Sequence, residues 1–572
     1  MSLIAELQRR KVFKVGAAYL VVGWLLIQVA ATVGPQLNLP EWAPRLITFL
    51  ILLGFPIALV MAWVFDVTPD GVKLDAKVSG SKRVIAAAVV MAALAVGWYF
   101  HARPQVRPPS PVAMTAQSTG ASSSAVSIAV LPFLDMSQTH DQEYFSDGLS
   151  EELLNLLAQL PQMRVIARTS SFSFKGKEVD VATIARTLNV ANVLEGSVRK
   201  SGNTLRITAQ LIRASDSSHL WSQTYDRELT DVFKVQDEIA AAVVDALKVQ
   251  LLPHQALSNA HRSSNPEAYN QYLLGVEFAR RMSPDNWRRA IAAQQRAIAL
   301  DPGYAPAYAA IANAEGWLAD SQGDSALATQ ALAHVDKAIK LDPGLVDGYV
   351  VRGISRLAAR GDWVGAKADF EKALSLNPNN SQVQNGYSRV LIALGRLPEA
   401  IVAERKAVAL DPISGDASAQ LGRLLNATGD TASARKALER AIELTPESAY
   451  AHFHLGETDL LEGKPKDALP HFALADNYGA GGRAMAEHSL GHAAASQQAL
   501  DEQIAKYSKG SAYQIAEVYA WRGEKDKAFE WLDRAVAQHD GGLSFFKSDP
   551  LIASLRSDPR YAAVLRTLKL PE

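Results

Sequence analysis

The sequence predicts a multidomain, mainly α protein with three transmembrane helices, a small α+β domain and a C-terminal α-solenoid of helix pairs. Three observations carry that expectation. Charge-free apolar runs cover Val15–Val33, Leu46–Phe65 and Val84–Phe100. From Ser127, short β-rich runs alternate with helical ones. Further on, prolines at 302, 343, 378, 412 and 446 recur at intervals of 41, 35, 34 and 34 residues. A chain of 572 residues also exceeds what one hydrophobic core supports, so several units are expected.

Each apolar run, at about 1.5 Å rise per residue, reaches roughly 25–30 Å, the thickness of a bilayer's hydrocarbon core. Trp63, Trp98 and Tyr99 stand near run ends, where an interfacial aromatic belt falls. The first run exceeds the roughly 7–15 apolar residues of a signal peptide, and two more follow it, so an uncleaved span is expected. Basic residues flank the runs unevenly. Arg9, Arg10, Lys11 and Lys14 precede the first, Arg45 alone lies before the second, and Lys73, Lys77, Lys82 and Arg83 precede the third. Arg103 and Arg107 follow the third. Positive charge collects on the cytoplasmic side. The expectation is a membrane domain over 1–100 in a bacterial inner membrane, N-terminus cytoplasmic, with residues after 101 periplasmic. Residues 101–125, rich in Pro, Ser, Ala and Thr, lack the apolar surface that offsets ordering entropy and read as a flexible linker.

Residues 126–252 read as the α+β domain. Ser127–Phe133 and Met163–Ala167 are short strands, and Tyr144–Leu160 is a helix with Phe145, Leu149, Leu153, Leu156, Leu157 and Leu160 on one face. A helix over Val181–Leu188 follows, then strands over Asn192–Lys200, Leu205–Ile212 and His219–Tyr225, with turns at Gly202-Asn203 and Asp216–Ser218. A helix over Val232–Leu251 closes the unit. The acidic residues Asp147, Glu151 and Glu152 are accounted for as favourable charge at a helix start.

The phrases SIAVLPF, EYFSDGLSEELLNLLAQLPQMRVIARTSSFSFKG, VLEGSVRKSGNTLRITAQLI and HLWSQTYDRELTDVF make this segment resemble the TolB-like N-terminal domain, related to the FlgO-type domain. The apolar N-terminal block also resembles the corresponding module of some members. That resemblance implies fusion to tetratricopeptide repeats, often behind a DNA-binding or adenylate-cyclase head. Only about 14 residues precede the first apolar run, too few for such a head, so any output is expected in a separate protein.

A period near 34 residues is that of the tetratricopeptide repeat, two antiparallel helices per unit. Small residues recur in register: Gly422, Ala434, Leu438 and Ala441 are answered by Gly456, Ala468, Phe472 and Ala475, and near the C-terminus by Ala516, Tyr519, Ala528, Leu532 and Ala535. Small side chains let the two helices approach, and proline ends the second. Six to eight units are expected over 266–540, with the extra residues near Asp320–Ser325 as a lengthened turn. The tail over 541–572 reads as a helical cap, with Phe545, Leu551, Leu555 and Leu565 sealing the last face.

Reactive chemistry is not legible. The chain has no cysteine, which excludes disulfides, thiolate metal sites and a cysteine nucleophile. A formal net charge of −1 gives no field for nucleic acid. Phosphate-binding loops, nucleophile elbows and zinc-helix motifs are missing from the sequence. His488 and His492 lack a third ligand nearby, and His452 and His454 stand two apart, which points them to different faces of a helix. The expectation is a non-enzyme with no catalytic residue, no metal, no cofactor, no nucleic acid and no small-molecule substrate. Its partner is a protein or peptide. The family's inward-facing positions, carried onto this register, give Asn385, Arg389, Arg423, Asn426, Tyr450 and Phe453 as a groove, the arginines and asparagines for a peptide carboxylate and backbone and the aromatics as an apolar anchor. The function expected is a membrane-anchored, periplasm-facing adaptor. The alternative is a sensor subunit relaying through the spans to a cytoplasmic output protein.

Overall fold

The computed structural model describes residues 19, 22–24, 65–68 and 71–74, and 126–571 with breaks at 139–141, 203, 229–230, 250–262, 264 and 359–361. The expected spans at 15–33, 46–65 and 84–100 and the linker at 101–125 lie outside the described residues, apart from 19, 22–24 and Phe65. Phe65 begins a strand: Phe65–Thr68 (β1) pairs antiparallel with Gly71–Leu74 (β2). The inner-membrane placement expected from the sequence is corrected by the structure. Among the described residues no helix is long and apolar enough to cross a membrane. The physical reason is that these helices are short, rarely more than 17 residues, and keep polar residues on one side.

Residues 122–572 form one compact unit. Its first part is built from β3 (Val126–Val130), β4 (Leu134–Asp135), α1 (Glu143–Ala158), β5 (Met163–Val165), α2 (Arg168–Phe172), α3 (Val181–Leu188), β6 (Asn192–Ser201), β7 (Thr204–Arg213), β8 (His219–Glu228) and α4 (Val232–Ala246). The sheet runs β5-β3-β6-β7-β8, with β4 beside β6. β3 is parallel to β5 and β6, whereas β6, β7 and β8 form an antiparallel meander. Alternation explains the layering. Leu205, Ile207, Ala209 and Leu211 of β7 are buried with α1 and α4 on one face. Ala129, Val193 and Ile166 meet Ile184 and Leu188 of α3 on the other.

The array follows as eight helix pairs: α5 (Pro266–Arg280) with α6 (Pro284–Leu300), α7 (Ala305–Gln322) with α8 (Ser325–Leu341), α9 (Val346–Ala358) with α10 (Trp363–Leu376), α11 (Ser381–Ala393) with α12 (Leu397–Leu410), α13 (Gly415–Ala427) with α14 (Thr431–Leu444), α15 (Ala449–Leu461) with α16 (Pro465–Ala473), α17 (Gly479–Ser489) with α18 (Ala493–Tyr507), and α19 (Ala512–Trp521) with α20 (Lys525–Gln538). A glycine with positive φ closes the turn inside several pairs, Gly429 at 81° and Gly463 at 72° among them, where a Cβ would be strained. A Cβ at Gly422 would lie 2.4 Å from Leu438, which is why that position packs small against large. The extra residues before Pro343 do not make a longer turn. They lengthen α7 and α8 to 18 and 17 residues, against 13 and 14 in α11 and α12.

The α+β layer is fastened to the array. Its core runs on through Tyr269 and Leu273 of α5 to Tyr304 and Ala307 of α7. Asn379, before α11, donates to the carbonyls of Leu160 (3.1 Å) and Met163 (2.7 Å). The Ala167 N–H donates to the Leu410 carbonyl at 2.8 Å, and buried Asp411 accepts from Thr169 and Ser170. Asp147 and Glu151, expected only as helix-start charge, pair with Arg168 and Lys175, and Glu151 reaches Arg280 of α5. The cap differs from expectation too. Leu551, Leu555 and Leu565 enter the terminal core, but Phe545 turns into the array interior and Phe546 fills the buried place, stacked on Tyr561 at 4.4 Å. The final helix, α21 (Pro559–Thr567), leads to Leu568, whose carbonyl accepts from the Trp363 indole of α10 at 2.8 Å. The end of the chain is thereby tied to the middle of the array.

Candidate functional site

The array interior holds a cavity of about 590 Å³ lined by the first helices α11, α13, α15 and α19, by Asn477 and Tyr478, and by the cap segment over 540–551. Positions spaced by three and four put Gln420, Arg423 and Leu424 on one face of α13, and Tyr450, Phe453, His454 and Glu457 on one face of α15. The 34-residue repeat places Arg389, Arg423 and Glu457 at the same register position of three consecutive pairs. Charge along that line changes sign from one end of the cavity to the other.

Of the six residues expected as a groove, Asn385, Arg389, Arg423, Tyr450 and Phe453 line this cavity. Asn426 does not. It is buried between pairs, donating to the His454 carbonyl and accepting from Thr458, each at 3.0 Å, so its role is to join α13 to α15. The lining residues differ in availability. Arg389 is exposed, and no ion pair or hydrogen bond to its side chain is recorded among the described residues. Asn385 donates to Glu404 at 3.0 Å. Burial pushes the Glu404 carboxyl up to about 7 despite that bond. The Arg423 guanidinium lies over the Phe545 ring, 3.1 Å from its centroid, and donates to the Tyr450 hydroxyl at 3.2 Å. Burial works against its charge, and Tyr450, Asp549 and Glu457 nearby more than offset that.

The far end of the cavity is acidic and was not anticipated. Glu457, Glu517 and Asp549 are all buried there. Asp549 accepts from the Tyr513 hydroxyl at 2.8 Å and the Leu551 N–H at 2.7 Å. Desolvation, and then the neighbouring Asp549 carboxyl, holds Glu517 far above the usual carboxylate range. His454 bonds Glu457, while burial lowers its pKa and keeps the imidazole neutral. Glu457 and Glu517 both carry a sequence signal, since each follows the small residue of its first helix, Gly456 and Ala516, as Arg423 follows Gly422. Asp549 comes from the cap, and only folding brings it to them. Among the described residues no group of three or more potential ligands is placed to hold a metal ion. His488 lies on α17, which ends at Ser489, whereas His492 lies beyond it and bonds Glu487 at 2.7 Å.

The helix pairs form a tetratricopeptide-repeat array in the C-terminal region, a fold that typically mediates protein–protein interactions, and profiles of that repeat match residues 357–403 and 420–484. Residues 123–242 match the HilA/YgeH-like transcriptional regulator second domain. Over 186 residues the chain is 40% identical to a protein named putative adenylate cyclase 3 from Rhizobium meliloti (strain 1021), an alignment covering 32% of this chain and 32% of that relative. Among solved structures it is similar to PilW, a widely conserved type IV pilus biogenesis factor, at 22% identity and a TM-score of 0.32, covering 36% of this chain and 98% of that one. It is also similar to YrrB, a tetratricopeptide-repeat protein with an unusual peptide-binding site, at 24% identity and a TM-score of 0.27, covering 36% and 97%. At these TM-scores neither structure bears on the function of this chain.

Proposed function

We propose that the chain is a non-catalytic adaptor whose array holds a peptide segment of a protein partner in the interior cavity. The observation that carries this reading is Arg389, an exposed guanidinium with no hydrogen bond or ion pair among the described residues, in the lining of a cavity that also presents Tyr450 and Phe453. A guanidinium in that position grips carboxylate or carbonyl oxygens by its fork of donors, and the rings add apolar contact. In this reading residues 126–252, with their TolB-like and FlgO-like sequence, are a second surface for partners. The clamp at Asp411 makes that surface move with the array rather than independently of it.

The test is a display screen of random peptides against the whole chain and against Arg389→Ala. The expected result is a set of enriched peptides whose binding needs Arg389. Enrichment of the same peptides on both proteins contradicts the reading. A second reading rests on the two sequence matches to a transcriptional regulator domain and a putative cyclase. Here the α+β and repeat unit senses a ligand for a separate output protein, and ligand-dependent capture of such a protein checks it.

A further inference from the structure

The sheet of the α+β layer has one edge covered and one edge open. β5 is the short edge, and the array lies along it: the Ala167 N–H reaches the Leu410 carbonyl at 2.8 Å, and Asn379 donates to the Met163 carbonyl at 2.7 Å. β8 is the long edge, 10 residues against 3, and among the described residues no strand pairs with its far side. Edge strands of that length are ordinarily guarded by proline, lysine or a bulge that twists the edge away. β8 has neither proline nor lysine, its one irregularity lies at its start beside Leu211 and Ile212, and Trp221–Tyr225 carries no charged side chain. Ser222, Gln223 and Thr224, in the middle of that run, are exposed.

The ladder fixes which backbone groups that edge presents. The N–H groups of Leu131 and Met136 donate to the carbonyls of Leu194 and Val198, each at 2.8 Å. Even-numbered residues of β6 therefore turn their backbone groups toward β3 and β4, and odd-numbered ones toward β7. Ser197 and Arg199 oppose Thr208 and Arg206, while Ile207 and Ala209 oppose Tyr225 and Gln223. Carried across the sheet, this alternation turns Gln223 and Tyr225 toward β7 and leaves the N–H and C=O groups of Ser222 and Thr224 pointing outward. Such a row is a template for one more strand. The side chains of β8 select that strand. Two copies related by a two-fold axis pair β8 with itself, antiparallel, about a central residue. Centres at Asp226, Arg227 or Glu228 oppose like charges, which is destabilising. A centre at Gln223 sets Trp221 against Tyr225 of the second copy, a favourable aromatic pair. It also sets Ser222 against Thr224 of the second copy, where the outward backbone groups meet, and it carries Asp226 and Glu228 away from their own counterparts.

We propose that β8 is a self-association surface, pairing antiparallel with β8 of a second copy about an axis at Gln223 and joining two sheets into one. The surface belongs to the α+β layer and uses no residue of the interior cavity, so the assignment stands apart from the peptide-binding reading.

Sedimentation of the whole chain over a wide concentration range should show a species of twice the chain mass, and Thr224→Pro should reduce it to the single mass. That proline removes an N–H that points away from β7, so the inner ladder of the strand is kept. A second readout leaves the backbone unaltered. The chain has no cysteine, so Gln223→Cys introduces its sole thiol. Mild oxidation should link two copies through Gln223→Cys and not through Glu228→Cys, which this register holds about 30 Å from its counterpart. A chain that is monomeric at every concentration overturns the assignment. So does a dimer that survives Thr224→Pro without linkage at position 223, or equal linkage at positions 223 and 228.

Discussion

Glu404 shows how one side chain sets a measurable property of the array. It is fully buried on α12 beside the cavity, and its carboxyl is pushed up to about 7 by burial. The folded state therefore keeps a proton that the unfolded chain releases near 4.3. Between those values the folded form binds more protons at this group, so the contribution of Glu404 to stability is full below about 4 and is lost as pH rises towards 7. A shift of that size corresponds to about 3 kcal/mol lost across the window. Glu404→Gln should melt higher than the unaltered chain at pH 8 and no higher at pH 5, by calorimetry. Equal melting temperatures at pH 8 would contradict the assignment. Asn426 makes a different point. Sequence register placed it in the groove beside Arg423, yet one helical step of rotation turns it between pairs. Asn426→Ala, which strands the partners of two buried hydrogen bonds, should cost about 1–3 kcal/mol.

At the scale of elements, packing rules written into the sequence were readable because they are periodic. Gly422 against Leu438 and Gly456 against Phe472 follow from a 34-residue repeat of small and large side chains, and the structure puts a hypothetical Cβ within 2.4 and 2.7 Å of those partners. Gly422→Ala should therefore lose about 1–3 kcal/mol through overpacking, where an exposed helical glycine would gain by the same change. The strands of the α+β layer were readable from alternation. Its docking was not, since Asp411 and Asn379 reach backbone groups and hydroxyls some two hundred residues away with no local signal. Asp411→Ala should raise hydrogen exchange at Ala167–Ser173 without changing exchange in α19 and α20, because the bonds it loses are those to Thr169 and Ser170.

The whole molecule adds what neither residues nor pairs contain. The chain returns from its C-terminus to bond Trp363, and the same cap brings Phe545 and Asp549 to a cavity begun by α11 and α13. A cavity with a basic and an acidic end is thus a product of tertiary return. Sequence register could indicate Arg389, Arg423, Glu457 and Glu517, which share one repeat position, but not Asp549, which arrives from the cap. The inner-membrane placement was an inference of the same whole-chain kind, drawn from apolar runs, and no described helix is long and apolar enough to support it. The repeat fold typically mediates protein–protein interactions, and the proposed account turns on whether the interior cavity of this array is such a surface. The most direct measurement is the dissociation constant of a display-selected peptide for the whole chain and for Arg389→Ala. The account predicts at least a tenfold loss in the variant, about 1.4 kcal/mol, with melting unchanged. An unchanged dissociation constant would place peptide binding outside the cavity and contradict it.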